Sequence, residues 1–139
     1  MMKRAIIAGL GALLLAGAML EAPQAQAGSG IEGTWRTEKG WLVKLFRCGG
    51  AYCGKVVGGT TMVDKNNPDP KLRQRKVVGI RLLWGLKESG GVWKGKLYNP
   101  KDGKTYTGSI KPVSANALKL SGCILGGLLC RSQTWKRAQ

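Results

Sequence analysis

Asp64, Arg73 and Arg75 are the one group of residues whose types and spacing could support catalysis. They lie in the segment Asp64–Gly79, which reads D-K-N-N-P-D-P-K-L-R-Q-R-K-V-V-G. A carboxylate can act as a general base, and guanidinium groups can hold a carboxylate or a phosphate. The chain has no histidine, however, which removes the commonest general base and the commonest metal ligand.

The other acidic residues do not supply a catalytic pair. Beyond residue 27 the carboxylates are Glu32, Glu38, Asp64, Asp69, Glu88 and Asp102. No two of them have a spacing that favours acid–base catalysis, and no serine lies in a nucleophile elbow. We therefore predict that the protein is not an enzyme and that it has no catalytic residue, metal site or cofactor.

The two prolines within Asp64–Gly79 predict an irregular connection. Asn67 and Asp69 each precede a proline, which pushes both residues toward extended backbone. Asp69 and Pro70 match an N-cap followed by the first helical residue, so we predict a short helix from Pro70 to about Arg75. Two interpretations are open: a structural lid or crossover held by local contacts, and a rigid loop that presents its two arginines to an anion.

The first residues have the pattern of a secretory signal peptide. Two basic residues precede the apolar run Ala5–Leu20, and Ala25-Gln26-Ala27 matches a small-residue cleavage site. The alternative is an uncleaved anchor, for which the apolar run is short. We predict cleavage after about Ala27, one domain over residues 28–139, periplasmic or secreted localisation, and no transmembrane span after cleavage.

The chain is strongly basic, with 23 Lys and Arg residues against 7 Asp and Glu residues and a formal net charge of +16. In a bacterial envelope the abundant polyanions are phospholipid headgroups and lipopolysaccharide, so export favours these partners over nucleic acid. The alternative is a solvated lysine-rich surface. The predicted partners are an unknown small or lipid-like ligand or an anionic envelope surface, and we expect a monomer.

Four cysteines in the predicted exported part indicate a disulfide framework in an oxidising compartment. Local pairs, Cys48 with Cys53 and Cys123 with Cys130, are the first choice because each pair flanks a glycine-containing hairpin loop. A two-residue turn at Gly126-Gly127 would make the second pair a hydrogen-bonded pair with more distant side chains. Long-range pairing between the two hairpins is therefore open, and metal binding by four thiolates is disfavoured.

Alternating apolar and polar residues predict about eight short strands joined mostly by tight turns. The run Val78–Leu86 keeps period two over five apolar positions. The last strand is expected from about Leu129 to Arg137. Because closure removes exposed strand edges, we predict an all-β fold, a single antiparallel eight-stranded barrel with a short helix or irregular crossover near residues 64–76. A two-sheet sandwich is the alternative.

The tryptophans fall on five different predicted strands, where they could fill the barrel or line a cavity. On the last strand, Arg131 and Gln133 share the face of Trp135, so an inward tryptophan would bring polar groups inside. Such groups need partners, either backbone groups near a barrel end or a ligand. The predicted ligand-binding residues are Trp35, Trp41, Trp84, Trp93, Arg73, Arg75 and Arg131.

Several motifs together resemble a bacterial secreted family known as domain of unknown function 2147. They include Cys48-x4-Cys53-Gly54, Asp64-x-x-Asn67-Pro68-Asp69-Pro70, Leu72-Arg73-x-Arg75, Tyr98-Asn99-Pro100-x-Asp102-Gly103-Lys104-x-Tyr106 and Gln133-x-Trp135-x-Arg137. The resemblance covers nearly the whole of residues 28–139. It implies an exported protein but no established activity.

Gly33-x-Trp35 and Arg137 also resemble the lipocalin-like (calycin) barrels. In those proteins a basic residue near the end of the last strand packs on a tryptophan of the first strand. A guanidinium over an indole is a favourable contact. The expected structural motif residues are Gly33, Asp64, Asn67, Pro68, Asp69, Pro70 and Arg137.

The sequence thus predicts a non-enzymatic exported barrel that binds a small, lipid-like or anionic envelope ligand in or at its mouth. The alternative is an envelope protein–protein interaction module with a solid core and no internal ligand. An open cavity inside the barrel would favour the first hypothesis, and a solid core would favour the second.

Overall fold

The computed structural model describes residues 30–139, together with Gly11 and Gly17. The predicted signal peptide over residues 1–27 and its cleavage site therefore lie outside the described residues, those two glycines apart.

Eight antiparallel strands close into one barrel, in which each strand pairs with its neighbours in sequence and β8 pairs with β1. The strands are β1 Gly33–Arg36, β2 Leu42–Cys48, β3 Ala51–Gly58, β4 Arg81–Ser89, β5 Val92–Asn99, β6 Lys104–Ser114, β7 Ala117–Ile124 and β8 Leu129–Arg137. The predicted eight-stranded antiparallel barrel is confirmed.

The two ends of the barrel are built differently. One end, here called the mouth, carries the connections after β1, β3, β5 and β7, which are residues 37–41, 59–80, 100–103 and 125–128. The other end, the base, carries the short turns 49–50, 90–91 and 115–116 and the segments that flank β1 and β8. All of the longer loops therefore surround the mouth.

Away from the mouth the barrel interior is solid. Its fully buried side chains include Trp35, Val43, Leu45, Leu83, Leu86, Ile110 and Leu118. Gly54 faces this core, and a Cβ there would lie 2.9 Å from side-chain atoms of both Leu45 and Leu83. A glycine is needed at this position because the two leucines already fill the space.

β4 departs from the predicted period-two run over Val78–Leu86. The strand begins at Arg81, and the consecutive residues Leu82 and Leu83 are both buried. In the pairing with β3, Gly54 lies opposite Leu83 and the next residue, Lys55, lies opposite Arg81, so Leu82 is an extra residue on β4. A bulge inserts one unpaired residue and so changes which face the following side chains occupy. The period-two run thus contains a strand, but its side chains do not alternate strictly between the two faces.

The β3–β4 connection is the long crossover that the prolines predict. Asp69 caps the 3₁₀ helix Pro70–Leu72 by accepting a hydrogen bond from the backbone nitrogen of Lys71 at 3.0 Å. The predicted start is confirmed, but the helix ends at Leu72 rather than at about Arg75. Beyond Leu72 the chain turns back to the start of the crossover, where the backbone nitrogen of Asp64 donates a hydrogen bond to the carbonyl of Arg75 at 2.9 Å.

Both disulfides are the predicted local ones, Cys48–Cys53 and Cys123–Cys130. The turn between the second pair is not a two-residue turn at Gly126-Gly127 but a 3₁₀ turn over Leu125–Gly127. Cys123 and Cys130 pair directly across β7 and β8, with Cα atoms 4.1 Å apart. This short distance is typical of a non-hydrogen-bonded pair, whose side chains approach closely.

Candidate functional site

Two adjoining cavities open at the mouth of the barrel, with volumes of about 180 Å³ and about 560 Å³. They share four lining residues: Leu97, Asn99, Leu120 and Gln133. The smaller cavity lies against the β1–β2 loop, and the larger one lies against the β7–β8 hairpin. The mouth thus contains one continuous depression that spans both sides of the barrel end.

The floor of this depression is apolar. Leu82, Leu97, Leu120 and Trp135 line the smaller cavity, and Trp41 forms part of its wall. The depression extends past Gly122, where a Cβ would lie 3.2 Å from Leu97. A glycine here leaves room for the leucine side chain, because the interior faces of β5 and β7 approach closely.

Gln133 places an amide within the apolar floor. Its register opposite Leu120 gives it the same inward face as Trp135, as predicted from the alternation of β8. The indole nitrogen of Trp135 donates a hydrogen bond to Oε1 of Gln133 at 2.9 Å. This bond satisfies the buried indole and fixes the amide at the junction of the two cavities.

Four basic residues line the walls above the floor: Lys39 and Lys101 beside the smaller cavity, and Lys104 and Arg131 beside the larger one. The Lys101 ammonium lies 6.0 Å from the centroid of the Trp41 ring. The pKa of Lys101 is lowered mainly by its contact with Lys39 and to a smaller extent by partial burial. Two ammonium groups therefore converge on one side of the mouth, an arrangement that an anion would stabilise.

Two carboxylates share these walls, and both already accept hydrogen bonds from the protein. Glu38 accepts from the backbone nitrogen of Thr134 at 2.9 Å. Asp102 accepts from the backbone nitrogen of Lys104 and from the hydroxyl of Tyr106. That hydroxyl bond is the main cause that raises the pKa of Tyr106. The carboxylates thus fix the loops, whereas the four basic residues leave the mouth with a net positive charge.

A buried polar cluster, here called the latch, holds the β3–β4 crossover against the barrel. Its centre is Asp64, whose side chain is fully buried. One carboxylate oxygen accepts hydrogen bonds from Nδ2 of Asn67 at 2.8 Å and from Nε of Arg75 at 2.9 Å. The other oxygen accepts from the hydroxyl of Tyr98 on β5. Such full pairing makes a buried carboxylate tolerable.

Tyr98 connects the latch to the cavity. Its hydroxyl is bonded to Asp64, while the residue also lines the smaller cavity. Burial is the main cause that raises the pKa of Tyr98 to about 12. The hydrogen bond to Asp64 and the negative charge of Asp64 contribute to the same rise. The latch therefore positions one wall of the mouth and keeps Tyr98 protonated over the ordinary pH range.

A second contact joins the crossover to the β5–β6 turn. Nδ2 of Asn66 donates to the carbonyl of Lys101 at 2.7 Å. A Cβ on Gly103 would lie 1.8 Å from the carbonyl oxygen of Asn66, and Gly103 has a φ of 70°. Glycine is therefore required by both the close approach and the backbone conformation. This contact holds the turn that carries Lys101 into the mouth.

The base is closed by Arg137, the residue that the lipocalin-like resemblance pairs with Trp35. The guanidinium carbon lies 4.3 Å from the centroid of the Trp35 ring. Its nitrogens donate to the backbone carbonyls of Gly30, Glu32 and Ala115 at 2.8–3.1 Å. Arg137 thus joins both termini of the barrel to the β6–β7 turn.

Of the seven ligand-binding residues predicted from the sequence, Trp41 and Arg131 line the two cavities. Trp35 and Trp93 are buried in the core, and Trp84 packs at its margin. Arg75 belongs to the latch, and Nε of Arg73 donates to the carbonyl of Asn67 at 2.8 Å. The two arginines hold the crossover, as the structural interpretation of this segment expects.

Sequence reasoning missed Lys39, Lys101 and Tyr98 as cavity residues. Lys101 and Tyr98 belong to the Tyr98–Tyr106 motif. Its sequence predicts a turn and does not indicate that the turn forms a wall of a cavity. Lys39 lies in the β1–β2 loop, and nothing in its local sequence distinguishes it from the other lysines. Only the folding of the two loops toward each other brings the three residues together.

Among residues 30–139 the structure contains no cluster of three or more Cys, Asp or Glu side chains that could hold a metal ion. Within the same described part of the chain, no helix is long and apolar enough to cross a membrane.

Comparisons with known proteins place the chain in a family. Residues 33–137 match the family described as "Uncharacterized protein conserved in bacteria (DUF2147)". A solved structure, titled "Protein HP1028 from the human pathogen Helicobacter pylori belongs to the lipocalin family", is similar with a TM-score of 0.70 and 30% sequence identity. The similarity covers 78% of this chain and 83% of that one. No curated protein matched the sequence. The chain belongs to the bacterial family DUF2147, and its closed barrel is lipocalin-like.

Proposed function

We propose that the protein is a non-enzymatic exported protein that binds a small amphipathic anion at the mouth of its barrel. The observation that carries the proposal is the apolar floor of Leu97, Leu120 and Trp135 beneath walls with four basic residues. A ligand with an apolar body and an anionic head satisfies both parts of this depression.

The larger cavity, at about 560 Å³, lies within the range of small-molecule sites. The apolar body of the ligand rests on Leu97 and Leu120, which line both cavities. The anionic head lies between Lys39 and Lys101, where a negative charge relieves the repulsion of the two ammonium groups. Gln133 offers an amide at the junction of the two parts.

Export forms part of the proposal. Two disulfides close local hairpins, and such bonds persist in oxidising compartments such as the bacterial periplasm. The sequence of residues 1–27 has the pattern of a cleavable signal peptide. The lipocalin description of the similar Helicobacter pylori protein is compatible with a binding role at the mouth.

An envelope protein–protein interaction module is the second candidate, and the solid core favours it. Trp35, Ile110 and Leu118 are fully buried, and they leave the ligand only the mouth rather than the whole barrel. In this alternative the cationic mouth contacts an acidic protein surface and takes no small ligand.

The test is displacement of the fluorescent anion anilinonaphthalene sulfonate by dodecanoate, with dodecanol as the uncharged comparison. We expect dodecanoate to displace the dye at lower concentration than dodecanol. The double variant Lys39→Glu with Lys101→Glu should weaken dodecanoate binding about tenfold or more, because two attractive charges become repulsive. The matched control is Lys55→Glu with Lys119→Glu, on exposed strand positions outside the cavity linings.

Equal loss in both double variants would mean that net charge alone attracts the anion and would overturn the assignment of the site. Failure of every amphiphile to displace the dye, together with an unliganded mass for protein isolated from its own periplasm, would favour the interaction module.

A further inference from the structure

The tip of the β7–β8 hairpin, residues 124–129, exposes an unusual amount of apolar surface. It reads Ile-Leu-Gly-Gly-Leu-Leu and contains no charged residue. All four of its large side chains are exposed: Leu125 is 66% and Leu128 is 83% accessible to solvent. In residues 30–139 these four make up half of the exposed large hydrophobic side chains, although the tip has only six residues. So dense an apolar cluster is typical of an interaction site.

The tip is held in one shape. The Cys123–Cys130 disulfide closes the hairpin directly beneath it. Leu125, Gly126 and Gly127 all have positive φ, between 54° and 94°. The covalent closure keeps the leucines projecting from the barrel, so little conformational entropy is lost when they are buried against a partner.

The surroundings of the tip carry more positive than negative charge. From residue 103 to the end of the chain there are six basic residues and no acidic one. Two of the six, Lys104 and Arg131, line the cavity together with Ile124 and Leu129 of the tip. Asp102 lines it too, but its carboxylate already accepts hydrogen bonds within the β5–β6 turn region, so one net positive charge remains. An apolar projection with a basic collar complements a surface that has an apolar interior and an anionic face.

We propose that the β7–β8 hairpin tip docks the protein on an anionic phospholipid bilayer, with Leu125 and Leu128 inserted among the acyl chains. Lys104 and Arg131 then lie at the level of the lipid phosphates. A second copy of the chain fits less well, because it would bring the same basic collars together. The docking surface adds to the proposed function and does not depend on a ligand in the mouth.

Docking of the tip would also orient the larger cavity of the mouth. Ile124 and Leu129 belong both to the tip and to the wall of the larger cavity. Insertion of the tip therefore turns this cavity toward the bilayer surface. An amphipathic anion could then pass between the headgroup layer and the cavity over a short distance.

The test is flotation of the exported protein with vesicles of one part phosphatidylglycerol to three parts phosphatidylethanolamine. Intact mass first establishes that residues 1–27 are absent, since the run Ala5–Leu20 would itself bind lipid. We expect binding to these vesicles and at least about tenfold less binding to pure phosphatidylcholine, because the basic collar finds no net charge there. Added salt should weaken the binding.

The variant Leu125→Ser with Leu128→Ser should lower the partition coefficient about tenfold or more, since it removes the inserting side chains. Its matched control is Val57→Ser with Val113→Ser, which removes two exposed apolar side chains elsewhere on the barrel. We expect the control to bind like the wild type. Near-ultraviolet circular dichroism checks that all variants keep the native core.

Undiminished binding of the leucine variant, or equal loss in the control, would overturn the proposal. So would an absence of vesicle binding accompanied by a dimer that the leucine variant dissociates, because the tip would then bind a second copy. The dodecanoate experiment distinguishes the two proposals: the leucine variant should bind dodecanoate normally in solution, whereas the Lys39 and Lys101 variant should not.

Discussion

The base and the mouth of the barrel use their positive charges in opposite ways. At the base, Arg137 stacks on Trp35 and donates to three backbone carbonyls. At the mouth, Lys39 and Lys101 lie beside each other on one wall of a cavity, and their contact lowers the pKa of Lys101. The base charge is satisfied by the fold itself, whereas the two mouth ammonium groups lie beside each other, where the proposed anion would stabilise them.

This difference separates residues that stabilise the fold from residues that could bind. Guanidinium groups whose acceptors are fixed by the fold are structural: Arg137 donates to three backbone carbonyls, and Arg75 donates to the buried carboxylate of Asp64. The mouth lysines have no comparable set of acceptors. Because they are exposed to solvent, replacing them should change the free energy of unfolding little. Four predictions test this separation, in order of decreasing effect on the free energy of unfolding.

Replacing Asp64 with Ala should lower the free energy of unfolding by about 3 kcal/mol, because Tyr98 and Asn67 lose their buried acceptor. Arg75 is 38% exposed and can regain water, which keeps the loss below the upper range for buried pairs. Urea denaturation measures the effect. The control Asp69→Ala removes only an exposed helix cap and should cost about 1 kcal/mol. Equal losses in the two variants would contradict the role of the latch.

Replacing Arg137 with Met should lower the free energy of unfolding by about 2 kcal/mol. The methionine retains part of the contact with Trp35 but supplies no donor to the three carbonyls. Thermal denaturation should show a reduced Tm, while dodecanoate affinity stays within about twofold of wild type because the cavity is at the other end. The control Arg131→Met, at the exposed mouth, should leave the Tm nearly unchanged. A larger decrease in Tm for Arg131→Met than for Arg137→Met would contradict the structural role of the base arginine.

Tyr98 should make stability fall at alkaline pH. Its folded pKa of about 12 lies above the ordinary tyrosine pKa of 10.0, so the folded state keeps the proton that the unfolded chain releases. The stabilisation is complete below pH 10 and is lost as pH rises toward about 12. Urea midpoints across this window measure the slope. Tyr98→Phe should flatten it, and an unchanged slope in that variant would rule out Tyr98 as its cause.

Replacing Lys39 and Lys101 together with Gln should change the free energy of unfolding by no more than about 0.5 kcal/mol. The same variant should bind dodecanoate several-fold more weakly, because two attractive charges are gone. Urea denaturation gives the free energy of unfolding, and dye displacement on the same preparation gives the affinity for dodecanoate. A large loss of stability would mean that these lysines hold the fold together, as Arg137 does at the base.

The barrel, its disulfides and the Asp69 cap could be predicted from the sequence because local rules determine them. Alternating residues define strands, prolines define the crossover, and cysteines that flank a tight hairpin pair locally. The alternation of β4 did not follow these rules, since a bulge in its pairing with β3 changes the facing of side chains without a marked change in composition. A run that reads as one apolar face can therefore contain Leu82 and Leu83 buried side by side.

The candidate site could be predicted only in part. The inward face of Gln133 and Arg131 follows from the period of β8, and Trp135 identifies that face. Lys39 and Lys101 come from different loops, and their proximity depends on how the crossover holds the β5–β6 turn. Similarly, Tyr98 reaches Asp64 across 34 positions of sequence, so its role in the latch required the folded structure.

The most direct test of a binding site at the mouth is a titration of isotopically labelled protein, residues 28–139, with decanoate, followed by heteronuclear NMR. The account predicts shift changes at Lys39, Lys101 and Gln133 and at the indoles of Trp41 and Trp135. It predicts no change at the base, where the Trp35 indole and Arg137 serve as internal controls. Changes centred on the base, or an even distribution over the exposed lysines, would contradict a binding site at the mouth.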